Sequence, residues 1–453
     1  MSMASIDSTV SAGGLGPAAM RRVVAASFAG ALLEWYDFFI FGTASGLVLG
    51  RLFFSSVDPL VNTTAAFATF GVGFFARPLG GIVFGHYGDR VGRKATLVAT
   101  LLITGTSTFL IGVLPTYEQA GVVAPVLLVL LRLIQGFGLG GEYGGAALLT
   151  IESAPPSRRG FLGSLPQTAA SAGIMLATGI FALCNILIPD AQFLSWGWRV
   201  PFLFSILLLV VGMHIRLHVE ETPDFRRARQ AREAAAGSEQ AREILPIVEL
   251  LLRHPGNTLL ALGARLAETV SSNVINAFGI AYVATQLGLG RDLPLWGMMI
   301  ASAVGIVACP VFGRYSDRIG QRRIYLAGAA ATAAVIFPFF WMLSSGSGVL
   351  IWIAFIVAYN IGPTLMFAVQ PTMFARMFGT RVRYTGLSFA YQFSAIIGGL
   401  TPLISVTLVR AGGGGPWLVA AYVAAVAVLS FVCVLLVHEK HAGLDAATER
   451  SVP

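Results

Sequence analysis

Seven ionisable side chains stand inside otherwise apolar sequence: Glu34, Asp37, Arg77, Arg132, Glu142, Arg265 and Glu268. A charge in hydrocarbon is costly unless partnered, so such groups mark proton relays, ion paths or ligand sites. A carboxylate that alternates between water and an arginine can load and release a proton, because desolvation raises its pKa and a nearby cation lowers it. Asp37 with Arg132 is the leading pair for proton coupling, the alternative being a static buried ion pair that fixes helix packing. Glu34 lies one turn before Asp37, where it shares the proton or the substrate contact, or makes a structural hydrogen bond. Arginine presents a bidentate fork that matches a carboxylate. Arg265, with Glu268 one turn on to neutralise it until substrate arrives, is therefore the candidate anion site. Arg77 is a second candidate, but it precedes Pro78 near the end of its span, which favours a gate pairing with Glu142 over a substrate contact.

Specificity for a polyhydroxylated acid needs donors and acceptors that a wrong ligand would leave unpaired. Tyr36, Gln135, Tyr143, Gln167, Asn273, Asn276, Asn360, Tyr391 and Gln392 supply them, with Tyr282 and Gln370 on the same spans; each could equally make a helix–helix hydrogen bond. Trp35, Phe38, Phe41 and Trp341 read as packing or interface belt rather than as a ligand box. The histidines (His86, His214, His218, His254, His438 and His441) lie in a loop or near helix ends and form no metal set. Cys184, Cys309 and Cys433 sit in separate apolar runs, without metal spacing or a disulfide framework.

The elements that must position these groups follow from composition. The chain of 453 residues is 56% hydrophobic and only 11% charged, about half the charge of a soluble domain. Long apolar runs, rather than short alternating segments, exclude a β-barrel. The expected fold is an all-α membrane protein with twelve transmembrane helices in two six-helix bundles. The spans fall at about 22–46, 64–86, 95–114, 122–147, 160–187, 199–217, 256–286, 294–314, 323–343, 348–375, 385–410 and 416–438, each long enough to cross ~30 Å of hydrocarbon.

The run Gly85–Lys94, rich in cations between apolar stretches, reads as a short loop at one membrane face. It returns as Gly313–Arg323, with Asp317 standing 228 positions after Asp89 (317 − 89). Two such motifs at a half-chain offset indicate a duplicated bundle. Asp89, Arg90, Arg93, Asp317, Arg318 and Arg322 are expected to gate the cytoplasmic gap through ion pairs and helix-end contacts, locking an outward-open state. The same offset places Arg265 opposite Asp37, and Asn360 opposite Arg132. Cations concentrate in alternate loops, which puts both termini in the cytoplasm and excludes the nucleic-acid partner that a net charge of +8 would suggest. The expected organisation is a cytoplasmic tail (1–20), an N-terminal bundle (21–217), a cytoplasmic linker with an amphipathic helix (218–255), a C-terminal bundle (256–438) and a short tail (439–453). The first residues lack the apolar core of a signal peptide, so the first span is expected to be uncleaved.

The two loop motifs resemble the signature of the major facilitator superfamily, as does Arg132–Gly140 its fourth-helix motif. More narrowly, Glu34–Phe38, Gly140–Gly145, Trp196–Phe202 and Glu220–Pro223 resemble the metabolite:proton symporter family, and Ala147–Pro155, Gln192–Leu207 and Leu251–Pro255 its shikimate transporter branch. Tyr143 and Glu34 depart from that branch, which usually has Trp and Asp there, and Ser271, Ser272, Asn273 and Asn276 change the lining of span seven. The resemblance implies import of a small organic acid, shikimate or a related cyclic hydroxy-carboxylate, by proton symport through alternating access. α-Ketoglutarate, citrate or a betaine is the alternative substrate. In related sugar carriers of the superfamily a first-helix Asp opposite the fourth-helix Arg couples the proton, which matches Asp37 and Arg132. The resemblance further implies a monomer in the bacterial inner membrane, with the proton gradient as driving force, no cofactor and no metal.

An exporter on the same fold is disfavoured, because span five shows Gly163-Ser164-Leu165-Pro166-Gln167 and Gly173 without the Gly-Pro-x-x-Gly-Gly run of such exporters. A membrane enzyme is excluded by the lack of any catalytic triad, metal cluster or phosphate loop. The short C-terminal tail argues against the coiled coil of osmosensing betaine carriers.

Overall fold

The structure, a computed structural model of the chain, describes residues 17–55, 58–91, 93–140, 150–151, 154–218, 250–252, 254–378 and 382–437. The linker helix expected within 218–255 lies almost wholly outside them.

Twelve helical spans are present among the described residues. They are α1 (Pro17–Ala44, extended by a π-helical turn Ser45–Leu49 and by Gly50–Phe53), α2 (Pro59–Val91), α3 (Arg93–Val113) and α4 (Val123–Leu139). α5 runs Arg159–Leu187 with an irregular turn near Pro166, and α6 is Val200–His218. α7 begins as Pro255–Asn273 and continues through π-helical turns at Val274–Phe278 and Tyr282–Gln286. α8 (Asp292–Ile319), α9 (Gln321–Ser344), α10 (Gly348–Ala375), α11 (Arg383–Ala411) and α12 (Trp417–Leu436) complete the chain. Nine of the described helices are long and apolar enough to cross a membrane by length and composition, and α3 and α4 are shorter apolar helices. α7 is the polar one, carrying Arg265, Glu268 and Ser271–Asn273.

The loop motifs are corrected in one respect. Gly85–Lys94 is not a loop: α2 runs on to Val91 and α3 begins at Arg93. In the second copy α8 continues to Ile319, Gly320 turns at φ +96°, and α9 starts at Gln321. Polar helix ends outside hydrocarbon lose nothing by staying helical, and one glycine at positive φ suffices to stop the helix.

The two halves repeat one pairing scheme. α1 packs on α5, α2 on α4 and α3 on α6; in the second half α7 packs on α11, α8 on α10 and α9 on α12. The halves meet through α2 against α11 and α5 against α8, which exchange under the same shift of six helices, and through α1 against α7. Small residues permit the closest crossings. A Cβ on Gly136 would collide with the Gly73 carbonyl oxygen, and one on Gly140 with that of Arg77, so α2 and α4 touch backbone to backbone. That contact fixes Arg77 and Arg132 relative to α1.

Candidate functional site

α1 turns Trp35, Phe38 and Phe39 to one side, the i, i+3, i+4 face of a helix. They border a central cavity whose atom-free space is about 460 Å³ and which is also lined by Phe74, Arg77, Arg265, Glu268, Asn273, Tyr391 and Gln392. Trp35 and Phe38, read as packing, do pack against each other and against Phe39 and Phe74, and the same side chains also border the cavity.

Each half brings one arginine to this place, paired with a glutamate of the same half. Arg77 donates to the Glu34 carboxylate at 3.1 Å, and its Nε donates to Gln392 Oε1 of the other half at 3.1 Å. Gln392 in turn donates to the Gly140 carbonyl at 3.0 Å, so one amide binds α11 to both α2 and α4. Arg77, expected at the gate, borders this cavity; the partner expected for it there, Glu142, lies outside the described residues. In the second half Arg265 donates to Glu268 at 3.0 Å and to Gln370 Oε1 at 2.7 Å, and its guanidinium stacks on the Tyr391 ring at 3.5 Å. Tyr391 also donates to Gln370 Oε1 at 2.8 Å. Gln370 donates to Tyr325, whose hydroxyl bonds the Ala264 carbonyl. Gln370 had only its mid-span place among other polar groups to mark it as the hub of this network.

Glu34 and Glu268 are 234 positions apart (268 − 34), and each pairs with an arginine of its own half. The π-helical turns of α1 (Ser45–Leu49) and α7 (Val274–Phe278) stand 229 positions apart (274 − 45), close to the 228-position offset of the loop motifs.

Asp37 and Arg132 form no direct ion pair. Arg132 is buried, donates to Gln135 Oε1 at 2.5 Å and to the Phe70 carbonyl at 3.4 Å, and lies over the Phe41 ring at 4.4 Å. Gln135 Nε2 donates to Thr108 Oγ1 at 2.8 Å and to the Asp37 carbonyl at 3.4 Å. Thr108 donates on to the Thr104 carbonyl at 3.0 Å, and the buried Asp37 carboxyl feels the charges of Arg132 and Glu34. Asp37, Thr108, Gln135 and Arg132 therefore make one buried polar cluster behind the chamber wall. The direct pair fails because Gln135, one turn from Arg132, intercepts the guanidinium.

The remaining candidates divide. Gln167 borders a second cavity of about 340 Å³ that adjoins the first at Trp35, Phe39, Glu268 and Ser272, and includes Ser171, Tyr359 and Thr364. Tyr36 is withdrawn from the substrate set, since its hydroxyl donates to the Pro201 carbonyl at 2.7 Å and anchors α6. Gln135 is likewise committed to the Asp37 cluster. Asn360 spends its amide on the Ala301 and Ile356 carbonyls, on a π-helical turn of α10. Asn276 is buried on the π-helical turn of α7 and borders neither cavity. Tyr143 and Glu142 lie outside the described residues, as do the side chains of Asp89, Arg90 and Arg93.

The chamber is closed at both ends. On the side of the loop motifs, Asp317 of α8 accepts from the backbone N–H groups of Gly160 (2.7 Å) and Phe161 (2.9 Å) at the start of α5. It thus caps a helix of the opposite half rather than the helix that follows it. Arg322 does not cross the gap: it donates to the Leu435 carbonyl at 2.7 Å, at the end of α12, where a cation is favoured. Arg318 is exposed. On the far side Asn185 donates to Asp292 at 2.5 Å, and Arg291 pairs with Asp190 at 3.3 Å while lying over Phe193. Burial holds the Arg291 guanidinium below its usual pKa, with Asp190 acting against that shift. The two halves are thus bonded to each other on both sides of the chamber.

Comparison with known proteins accords with this geometry. Residues 23–450 match the family model described as sugar (and other) transporter. The shikimate transporter of Escherichia coli (strain K12) is 42% identical over 422 residues, 92% of this chain and 94% of that one. The inner membrane metabolite transport protein YhjE of the same organism is 39% identical over 425 residues, with 92% and 94% covered. Among solved structures, the partially occluded inward-open form of the xylose transporter XylE from E. coli superposes with a TM-score of 0.69 over 91% of this chain and 96% of that one, at 16% identity.

Proposed function

This chain belongs to the sugar (and other) transporter family and has the major facilitator fold, a transporter and not an enzyme, and from that premise we propose that it imports a small organic acid together with protons. The observation that carries the reading is the meeting of Arg77 and Arg265, one from each half, in a single cavity where each is held by a glutamate of its own half. A carboxylate that displaces one glutamate finds a guanidinium fork already oriented, and polar groups on Asn273, Tyr391 and Gln392 border the same space. Shikimate or a related cyclic hydroxy-acid suits such a lining, and the 42% identity to a shikimate transporter supports it.

Alternating access would break the two closures in turn. Asp317 releases α5 on one side, and the Asn185–Asp292 and Arg291–Asp190 bonds release on the other. Asp37 is the coupling carboxyl of the first half, acting through Gln135 and Thr108 on Arg132 rather than by direct contact. The motif side is cytoplasmic, the termini lie there, and the membrane is the bacterial inner membrane, consistent with the name of one relative. The carrier works as a monomer without a cofactor.

A betaine is the second reading. Trp35, Phe38, Phe39 and Phe74 wall the cavity, and aromatic faces attract a quaternary ammonium group. Proteoliposomes test both: uptake of labelled shikimate, α-ketoglutarate and glycine betaine is compared with and without an imposed pH gradient, acid outside. Accumulation of shikimate only with the gradient is expected. Gradient-independent equilibration of all three would reject proton-coupled import.

A further inference from the structure

Resting on the organic-acid reading above, we propose that Glu268 takes up a proton each time an anion binds, leaving Arg265 for the second cavity. The charges in the chamber balance as they stand: Arg77 with Glu34, Arg265 with Glu268. An entering carboxylate adds one negative charge to a space lined by buried side chains. An uncompensated charge in such a place is costly, and one proton removes the cost.

Glu268 is the group placed to receive it. It borders both cavities, whereas Glu34 borders neither. Arg265 does not depend on Glu268 alone, since the Gln370 carbonyl oxygen and the Tyr391 ring hold it as well. When a substrate carboxylate takes the place of the Glu268 carboxylate, the guanidinium therefore stays where it is. On the other side of Glu268, the second cavity presents Gln167, Ser171 and Tyr359, with Ser171 and Tyr359 already bonded to each other at 3.1 Å. A neutral carboxyl needs a donor and an acceptor, which an amide and hydroxyls supply, and a carboxylate would find no cation there. The step balances: the anion gains the Arg265 contact, Glu268 loses it and gains H⁺, and net charge is unchanged.

Other groups that titrate or carry charge near Glu268 are Arg265 on its own helix and Arg77 across the cavity, the latter held by Glu34. Among the described residues, Tyr391 of α11, Tyr359 of α10, Tyr325 of α9 and Cys309 of α8 also stand near it. None of these phenols or the thiol carries charge near neutral pH in its ordinary state. The binding proton is separate from one moved by Asp37, which sits behind the chamber wall.

The test is equilibrium binding of shikimate to the purified full-length protein between about pH 6 and 8. One proton taken up per anion weakens affinity tenfold per pH unit as pH rises. In Glu268→Gln the slope is expected to fall by that tenfold per unit, whatever the affinity itself becomes. A variant slope equal to that of the native protein overturns the proposal. Proton uptake by the native protein in weakly buffered solution gives a measure independent of any variant: at least one proton per shikimate bound is expected, and none overturns the proposal. If the native protein binds neither shikimate nor α-ketoglutarate, the organic-acid reading itself fails and this inference with it; if it binds with the slope unmoved by Glu268→Gln, only this inference fails.

Discussion

Arg77 of α2 and Glu34 of α1 form a 3.1 Å ion pair, and the same guanidinium reaches across the chamber to Gln392 of α11. One side chain thus joins two helices of the first half to a helix of the second. Lysine has the charge but not the fork, so it can keep Glu34 or reach Gln392, not both. A hydrogen bond to a charged group contributes about 1.5–3 kcal/mol. Arg77→Lys is therefore expected to raise the KM for substrate by about 10- to 100-fold. Initial uptake rates in proteoliposomes measure it, and an unchanged KM would remove Arg77 from the site.

Tyr391 contributes to the Arg265 network in two ways that variants can separate. Its hydroxyl bonds Gln370 at 2.8 Å, while its ring stacks under the guanidinium at 3.5 Å. Tyr391→Phe keeps the ring and loses a neutral hydrogen bond of about 1 kcal/mol, so substrate affinity should fall about fivefold. Tyr391→Leu also loses the cation–π contact, about 2 kcal/mol when desolvated, and affinity should fall by a further factor of about 30. Calorimetric binding of the two variants distinguishes the contributions, and equal losses would mean that stacking adds nothing.

The spans were legible because hydrocarbon imposes one demand on every helix, and the sequence meets it everywhere except in α7, whose polar residues face the chamber instead. The Arg265–Glu268 pair was legible too, since i, i+3 spacing brings two side chains together within one helix whatever surrounds it. Arg77–Glu34 was not, because rotation of α2 about its axis depends on Gly136 and Gly140 of a different helix. The misreading of Asp37 and Arg132 has the same origin. Their depths matched, but Gln135 stands between them, and a partner supplied one turn away on the arginine's own helix leaves no trace in a comparison of heights.

Asp37 nevertheless remains placed for coupling. It is buried, without a direct cation, and reaches Arg132 only through Gln135 and Thr108. Asp37→Asn keeps the shape and cannot exchange a proton at neutral pH. Accumulation of substrate driven by an imposed proton gradient should be abolished. Gradient-driven accumulation at the native level would reduce Asp37 to a packing residue of the α1–α3–α4 contact.

The closure on the motif side makes a prediction about population rather than binding. Asp317 accepts two backbone N–H bonds at the start of α5, from Gly160 and Phe161. The halves touch there, since a Cβ on Gly160 would collide with Ser316 and one on Gly313 with Ser164. Asp317→Asn has one oxygen where the carboxylate has two and carries no charge toward the helix N-terminus, a loss of about 1–2 kcal/mol. That shifts the balance of closed and open states on this side by about 5- to 30-fold. Gly160→Val blocks the contact sterically and should act in the same direction. Ser316 is buried in the closure, so Ser316→Cys in a background with Cys184, Cys309 and Cys433 replaced by serine reports opening through its rate of thiol labelling. Faster labelling is expected in both variants, together with slower uptake because the occluded state forms less often. Labelling that stays slow in Asp317→Asn would show that the glycine contact alone holds the two halves together, and that the carboxylate cap of α5 contributes nothing to the gate.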